Sequence, residues 1–148
     1  MSNAIQLLTK RLLGVFFSRK QAVPSTRFRV VNISSNTELA SNVEVADTGS
    51  KRSKGLLGRD SLSSGEGLWI VPCESVHTFG MRFAIDLVYL DRQQCIRKVR
   101  SDVPPWRISA CFSAHSVIEL ASGALQGRSL QKGDKIEFYP IETDTTFV

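Results

Sequence analysis

The feature that most narrows the fold is the stretch from Cys73 to Asp91, in which Phe79, Met81, Phe83, Ile85, Leu87 and Tyr89 alternate with Gly80, Arg82, Ala84, Asp86 and Val88. A period of two belongs to an extended chain, whose successive side chains leave on opposite faces. Read as one unbroken strand, the segment puts Arg82 and Asp86 on one face about 13 Å apart at ~3.3 Å per residue, too far for a direct ion pair. Gly80 is the position where a bulge would change the face to which His77 points.

The flanking sequence repeats the theme in shorter runs. Phe28–Ile33 and Asn42–Asp47 carry β-branched residues bounded by Ser and Asn clusters and predict two strands with a polar turn. Asp47 or Thr48 then caps a short helix through Leu57, with Gly58 as its left-handed stop. Leu68–Val71, closed by Pro72, reads as a central strand, and Cys95–Arg100, His115–Leu120 and Ile136–Tyr139 as three more. Pro104 and Pro105 exclude a central strand between the first two of these. Strands that follow one another without long helices predict a mainly β fold: a small antiparallel β-sandwich or barrel with one or two short helices.

With 148 residues, 42% hydrophobic and 22% charged, the chain fits one domain with a conventional core that needs no disulfide or metal for support. The formal charge of +5 belongs mostly to the N-terminal part. Lys10, Arg11, Arg19, Lys20, Arg27 and Arg29 precede the first acid, Glu38, and the remainder holds 13 basic against 14 acidic residues, net −1. Nucleic acid is therefore not an expected partner, because phosphate binding needs a basic surface.

The organisation expected is a basic amphipathic extension over residues 1–24, a single β-rich domain over 25–141 and a tail over 142–148. In the extension Ile5, Leu8, Leu12 and Val15/Phe16 recur at helical spacing among basic residues. Lys10 and Arg11 interrupt it well short of the ~18 apolar residues of a spanning helix, and Leu12–Phe17 is short for a secretory signal. The expected location is the cytoplasm, with attachment to a membrane surface or a protein partner through residues 1–24 as the alternative.

Candidate chemistry gathers around one constellation: His77, Arg82, Asp86 and Glu119, with Arg52 and Trp106. An imidazole acts as acid, base or ligand near neutral pH, a guanidinium grips a carboxylate or phosphate, and an aromatic flank stacks on a ring. These residues predict a pocket for a small anionic or sugar-like ligand. The opposing expectation is a structural network of strand-end hydrogen bonds.

Two further patterns compete with it. Cys73-x-x-x-His77 and Cys111-x-x-x-His115 make up the ligand set of a tetrahedral zinc site, but that spacing suits a helix and both pairs fall at loop-to-strand transitions, so no metal and no cofactor is assigned. Cys73 beside His77 would suit a nucleophile, though no third orienting residue accompanies it. Whether the chain is an enzyme stays open.

Arg52-x-x-Gly-Leu-Leu-Gly-Arg59, Gly65-Glu-Gly-Leu68, Pro72-Cys-Glu-Ser-Val-His-Thr-Phe-Gly-Met-Arg-Phe83, Ile85-Asp86, Leu90-Asp91, Pro105-Trp-Arg107, Val117-Ile-Glu-Leu120 and Gly133-Asp134 occur in order. Together they resemble the prokaryotic family called domain of unknown function 192, over roughly Val43 to Glu137. The resemblance implies a compact β-barrel or sandwich-like fold, often behind a signal sequence or lipid anchor in other members, and no agreed activity. Ala84 stands where relatives usually place proline, and Cys95 where a turn glycine is common.

Overall fold

The computed structural model describes residues 27–142; the amphipathic extension and the end of the tail lie outside them. Nine strands and one helix run in the order β1 Arg27–Asn32, β2 Thr37–Ala46, α1 Gly49–Lys54, β3 Glu66–Ile70, β4 Ser75–His77, β5 Ile85–Leu90, β6 Ile96–Val103, β7 Ile108–Ala110, β8 Ser116–Ala121 and β9 Ile136–Pro140. Seven strands form one sheet in the order β6-β5-β8-β3-β2-β1-β9, and β4 pairs with β7 in a separate ribbon. Among the described residues no helix is long and apolar enough to cross a membrane.

The sheet curls into a half-barrel whose edge strands meet at one rim. There Ile96 N–H donates to the Asp134 carbonyl (2.8 Å), Gly133 N–H to that of Ile96 (2.8 Å) and Ile136 N–H to that of Gln94 (2.9 Å). An aromatic trio links β1, β3 and β9. Trp69 stacks on Phe138 at 4.0 Å, and Phe28 meets both rings edge-on.

Curling gives the sheet two apolar sides. Val30, Val43, Val88, Ile96, Ile118 and Ile136 come from both edges and the centre, so their cluster is the inside of the curl. Leu68, Ile70, Ile85, Leu87, Tyr89 and Val117 form the outer cluster, covered by Leu56 and Leu62 from the α1 connection, by Val76 of β4 and by Met81. Strands β5 and β8 are buried at every position because both their faces are covered.

The sheet departs from the expected all-antiparallel arrangement at one place. β2 and β3 are parallel, with Asn42 opposite Glu66 and Ala46 opposite Ile70. A parallel pair needs a crossover of a dozen or more residues, and the segment carrying α1 supplies it. The helix starts where the sequence places it, with Thr48 Oγ1 accepting from Lys51 N–H (3.3 Å), but ends at Gly55 rather than Gly58.

The expected long strand from Cys73 to Asp91 is also corrected. It breaks into β4 and β5 around a turn in which Met81 N–H donates to the Thr78 carbonyl (3.2 Å) and Gly80 takes a φ of 77°, a left-handed conformation natural to glycine. Alternation continues through the turn because Met81 still packs inward. The side chains on either side of the break therefore serve different layers.

Candidate functional site

The cross-strand register decides how the two buried acids of the sheet are used. Asp86 of β5 lies opposite Leu120, and Glu119 of β8 lies opposite Leu87. Since alternate residues face opposite sides, Asp86 points to the inside of the curl and Glu119 to the outside.

Asp86 is wholly used by the fold. Its Oδ1 accepts from Asp102 N–H (2.8 Å) and its Oδ2 from Leu125 N–H (2.9 Å), tying two loops to the centre of the sheet. Arg82 is elsewhere, exposed and ion-paired with Asp60. Neither residue joins the other candidates.

Glu119 has a different environment. It is 4% exposed, and its Oε2 is buried with no hydrogen-bond partner. Burial pushes its carboxyl up to about 7, against a smaller opposing pull from the charge of Arg59. The residue lines a cavity of about 300 Å³ between the α1 segment and β4. Its lining includes the polar residues Arg52, Lys54, Cys73, Ser75 and His77 and the apolar residues Leu57, Ile70, Pro72 and Met81. Three of the six expected residues, His77, Arg52 and Glu119, thus come together. Arg52 is steadied by donating to the Asp47 carbonyl (2.9 Å).

Trp106 reaches this cavity through an intermediary missed by the sequence reading. The His77 ring stacks on Phe79 at 5.3 Å, and Phe79 on Trp106 at 5.8 Å, both at interplanar angles of 28°. Alternation marks Phe79 as one more apolar strand position, yet it is 40% exposed and Trp106 65%. Thr78, also missed, is buried and latches the loop of Trp106 to β4. Its Oγ1 donates to the Pro104 carbonyl (2.8 Å) and accepts from Arg107 N–H (2.9 Å), while its carbonyl accepts from Trp106 N–H (3.0 Å).

The cysteine and histidine pairs do not converge. Cys73 and His77 line the Glu119 cavity, whereas His115 lines a separate depression with Glu74, Asp91 and Phe112. Among the described residues no three His, Cys, Asp or Glu side chains come together as a metal site. Cys73 donates to the Ser75 carbonyl (3.1 Å) and burial pushes its thiol pKa up, the reverse of what activates a nucleophilic cysteine.

Family comparison agrees with the fold and the motif. The model of domain of unknown function 192, described as Uncharacterized ACR, matches residues 30–138. The chain belongs to this family. A UPF0127 protein of Pyrococcus abyssi (strain GE5 / Orsay) is 31% identical over 116 residues, covering 74% of this chain and 96% of that one. Two solved structures share the fold seen here. One, from Sinorhizobium meliloti 1021 and proposed as a transcription regulator, has a TM-score of 0.67 at 22% identity, covering 78% of this chain and 96% of its own. The other, a protein of unknown function from Novosphingobium aromaticivorans DSM 12444, has a TM-score of 0.62 at 19% identity, covering 75% and 83%. At these identities the likeness concerns the fold alone.

Proposed function

We propose that this domain binds a small polar ligand, anionic or sugar-like, in the cavity between α1 and β4, with Glu119 as the recognition group at depth. The observation that carries the reading is the buried, unpartnered Oε2 of Glu119. A buried polar atom without a partner costs about 1–3 kcal/mol, and the great majority of such atoms in native proteins are satisfied. A ligand that donates to or accepts from this carboxyl removes that cost. Arg52, Lys54 and His77 on the walls add the donors that fix a hydroxylated or negatively charged molecule. The size supports a compact ligand, since about 300 Å³ lies at the small end of binding cavities.

Thermal-shift measurement with glucose, N-acetylglucosamine, glucose 6-phosphate, gluconate and citrate tests the reading. At least one compound should raise Tm by several degrees when present at roughly 100 times its Kd. Glu119→Gln and His77→Ala should remove the shift. The pH dependence separates the classes: a hydroxyl donating to ionised Glu119 binds tighter as pH rises through about 7, and an anion accepting from the protonated carboxyl binds tighter as pH falls through it. No shift with any compound, or an undiminished shift in both variants, refutes the proposal.

A further inference from the structure

A second cavity, of about 540 Å³, adjoins the first, since Lys54, Gly55 and Leu57 line both. Its charge is one-sided. Arg27, Lys51, Lys54 and Arg59 line it against a single acid, Glu44. Even with Asp47, the partner of Lys51, four cations meet two carboxylates, a net charge of +2. From Glu38 onward the chain holds 13 basic and 14 acidic residues, so this excess is local.

The register of the sheet builds the cluster. Arg27 of β1 lies opposite Glu44 of β2, and each oxygen of Glu44 receives one guanidinium: Arg27 Nη2 on Oε1 (3.3 Å) and Arg59 Nη2 on Oε2 (3.1 Å). One carboxylate thus holds two arginines side by side while neutralising only one charge. A guanidinium has five N–H donors, and Arg59 gives one of them to Glu44. The Lys54 ammonium has no hydrogen-bond or ion-pair partner among the described residues. A helix C-terminus favours cations, which accounts for Lys54 at the end of α1 but not for Arg27 on a strand or Arg59 in the loop beyond.

We propose that this cavity is a second ligand site, for a phosphomonoester, with Arg27 and Arg59 as paired forks and Lys54 as a point charge. Guanidinium forks match phosphate oxygens bidentately, and an ammonium adds charge without demanding a geometry. The dianion of a phosphomonoester matches the local excess. A volume of about 540 Å³ leaves room for the group that carries the phosphate, and Leu57 and Leu68 offer it apolar surface. The carrier is a soluble molecule or a lipid. The chain enters β1 at Arg27 behind Lys10, Arg11, Arg19 and Lys20, with no acid before Glu38, and such basic segments are attracted to anionic bilayers.

Calorimetric titration of the full chain with glycerol 3-phosphate, and co-sedimentation with vesicles of equal parts phosphatidylcholine and phosphatidic acid, test this at an ionic strength held constant with chloride. Glycerol 3-phosphate should bind saturably, and tighter as pH rises through about 6, where a phosphomonoester loses its second proton. Arg59 lines this cavity and not the one at Glu119. Arg59→Gln should weaken binding about tenfold or more, the scale of a lost charge-assisted bond, and Lys54→Gln should weaken it severalfold. Arg82→Gln, the same charge change outside the cavity, should leave affinity within about twofold. Binding to the phosphatidic acid vesicles alone, lost in Arg59→Gln, assigns the site to a lipid headgroup. Binding of neither source, competition by chloride as effective as by phosphate, or parental affinity in both Arg59→Gln and Lys54→Gln refutes the site. Vesicle binding that survives both substitutions belongs to the basic residues before Arg27 and refutes it as well.

Discussion

Two acids of similar burial have opposite fates because of what their oxygens meet. Asp86 accepts two backbone N–H groups, whereas Glu119 faces desolvation with only the distant charge of Arg59 to favour ionisation. A carboxyl raised from 4.5 to about 7 contributes stability that is fully present below about 4.5 and is lost as pH rises through about 7, because the unfolded chain ionises first. The total is about 3 kcal/mol at ~1.4 kcal/mol per unit. Glu119→Gln, neutral at every pH, should therefore flatten the stability profile between pH 4.5 and 7 and make the variant more stable than the parent at pH 8. Urea unfolding at pH 4, 6 and 8 checks this, and parallel profiles for the two proteins would refute it.

At the scale of elements, the strands and the capped helix were legible because alternation, β-branching and Thr48 act locally. The parallel pairing of β2 with β3 was not, since it depends on how the intervening segment crosses the sheet. The ribbon strand β7 has only three residues, Ile108–Ala110, too few for a period to register. Site membership followed the same division: Arg52, His77 and Glu119 share a cavity, but the assignment of Asp86 to the other face needed the register of β5 against β8. Gly67 of β3 shows how closely β8 is packed from its other side. A Cβ there would lie 2.9 Å from both the Glu119 carbonyl and Leu120 Cδ2, and 3.3 Å from Val43 Cγ2. The carbonyl belongs to the β8 ladder and cannot yield without moving Glu119. Gly67→Ala should therefore cost roughly 1–3 kcal/mol, the usual penalty of overpacking. It should also weaken any Glu119-dependent binding, and a stability change below about 0.5 kcal/mol by urea unfolding would show that the strands can part freely.

At the scale of the whole molecule, a half-barrel has two edge strands that must be protected, because an open edge offers unpaired N–H and C=O groups to other chains. This one joins them at one rim. The rim depends on Asn32, which is fully buried and bridges two turns: its Nδ2 donates to Asp134 Oδ2 (2.8 Å) and its Oδ1 accepts from Ser34 N–H (3.0 Å). Asp134 in turn presents the carbonyl that receives Ile96 N–H, so one amide side chain orients the turn that joins β6 to β9. Asn32→Ala should cost about 1–3 kcal/mol, as expected when a buried bridge loses its partners. Its distinguishing effect should be spatial, since local opening exposes amides as contiguous units. In native-state hydrogen exchange the amides of Ile96, Gly133 and Ile136 should lose protection together, while those of Val88 and Ile118 in the doubly covered centre should change only by the fall in global stability. Equal loss at rim and centre would mean that the barrel opens as one unit and that Asn32 has no special hold on its closure.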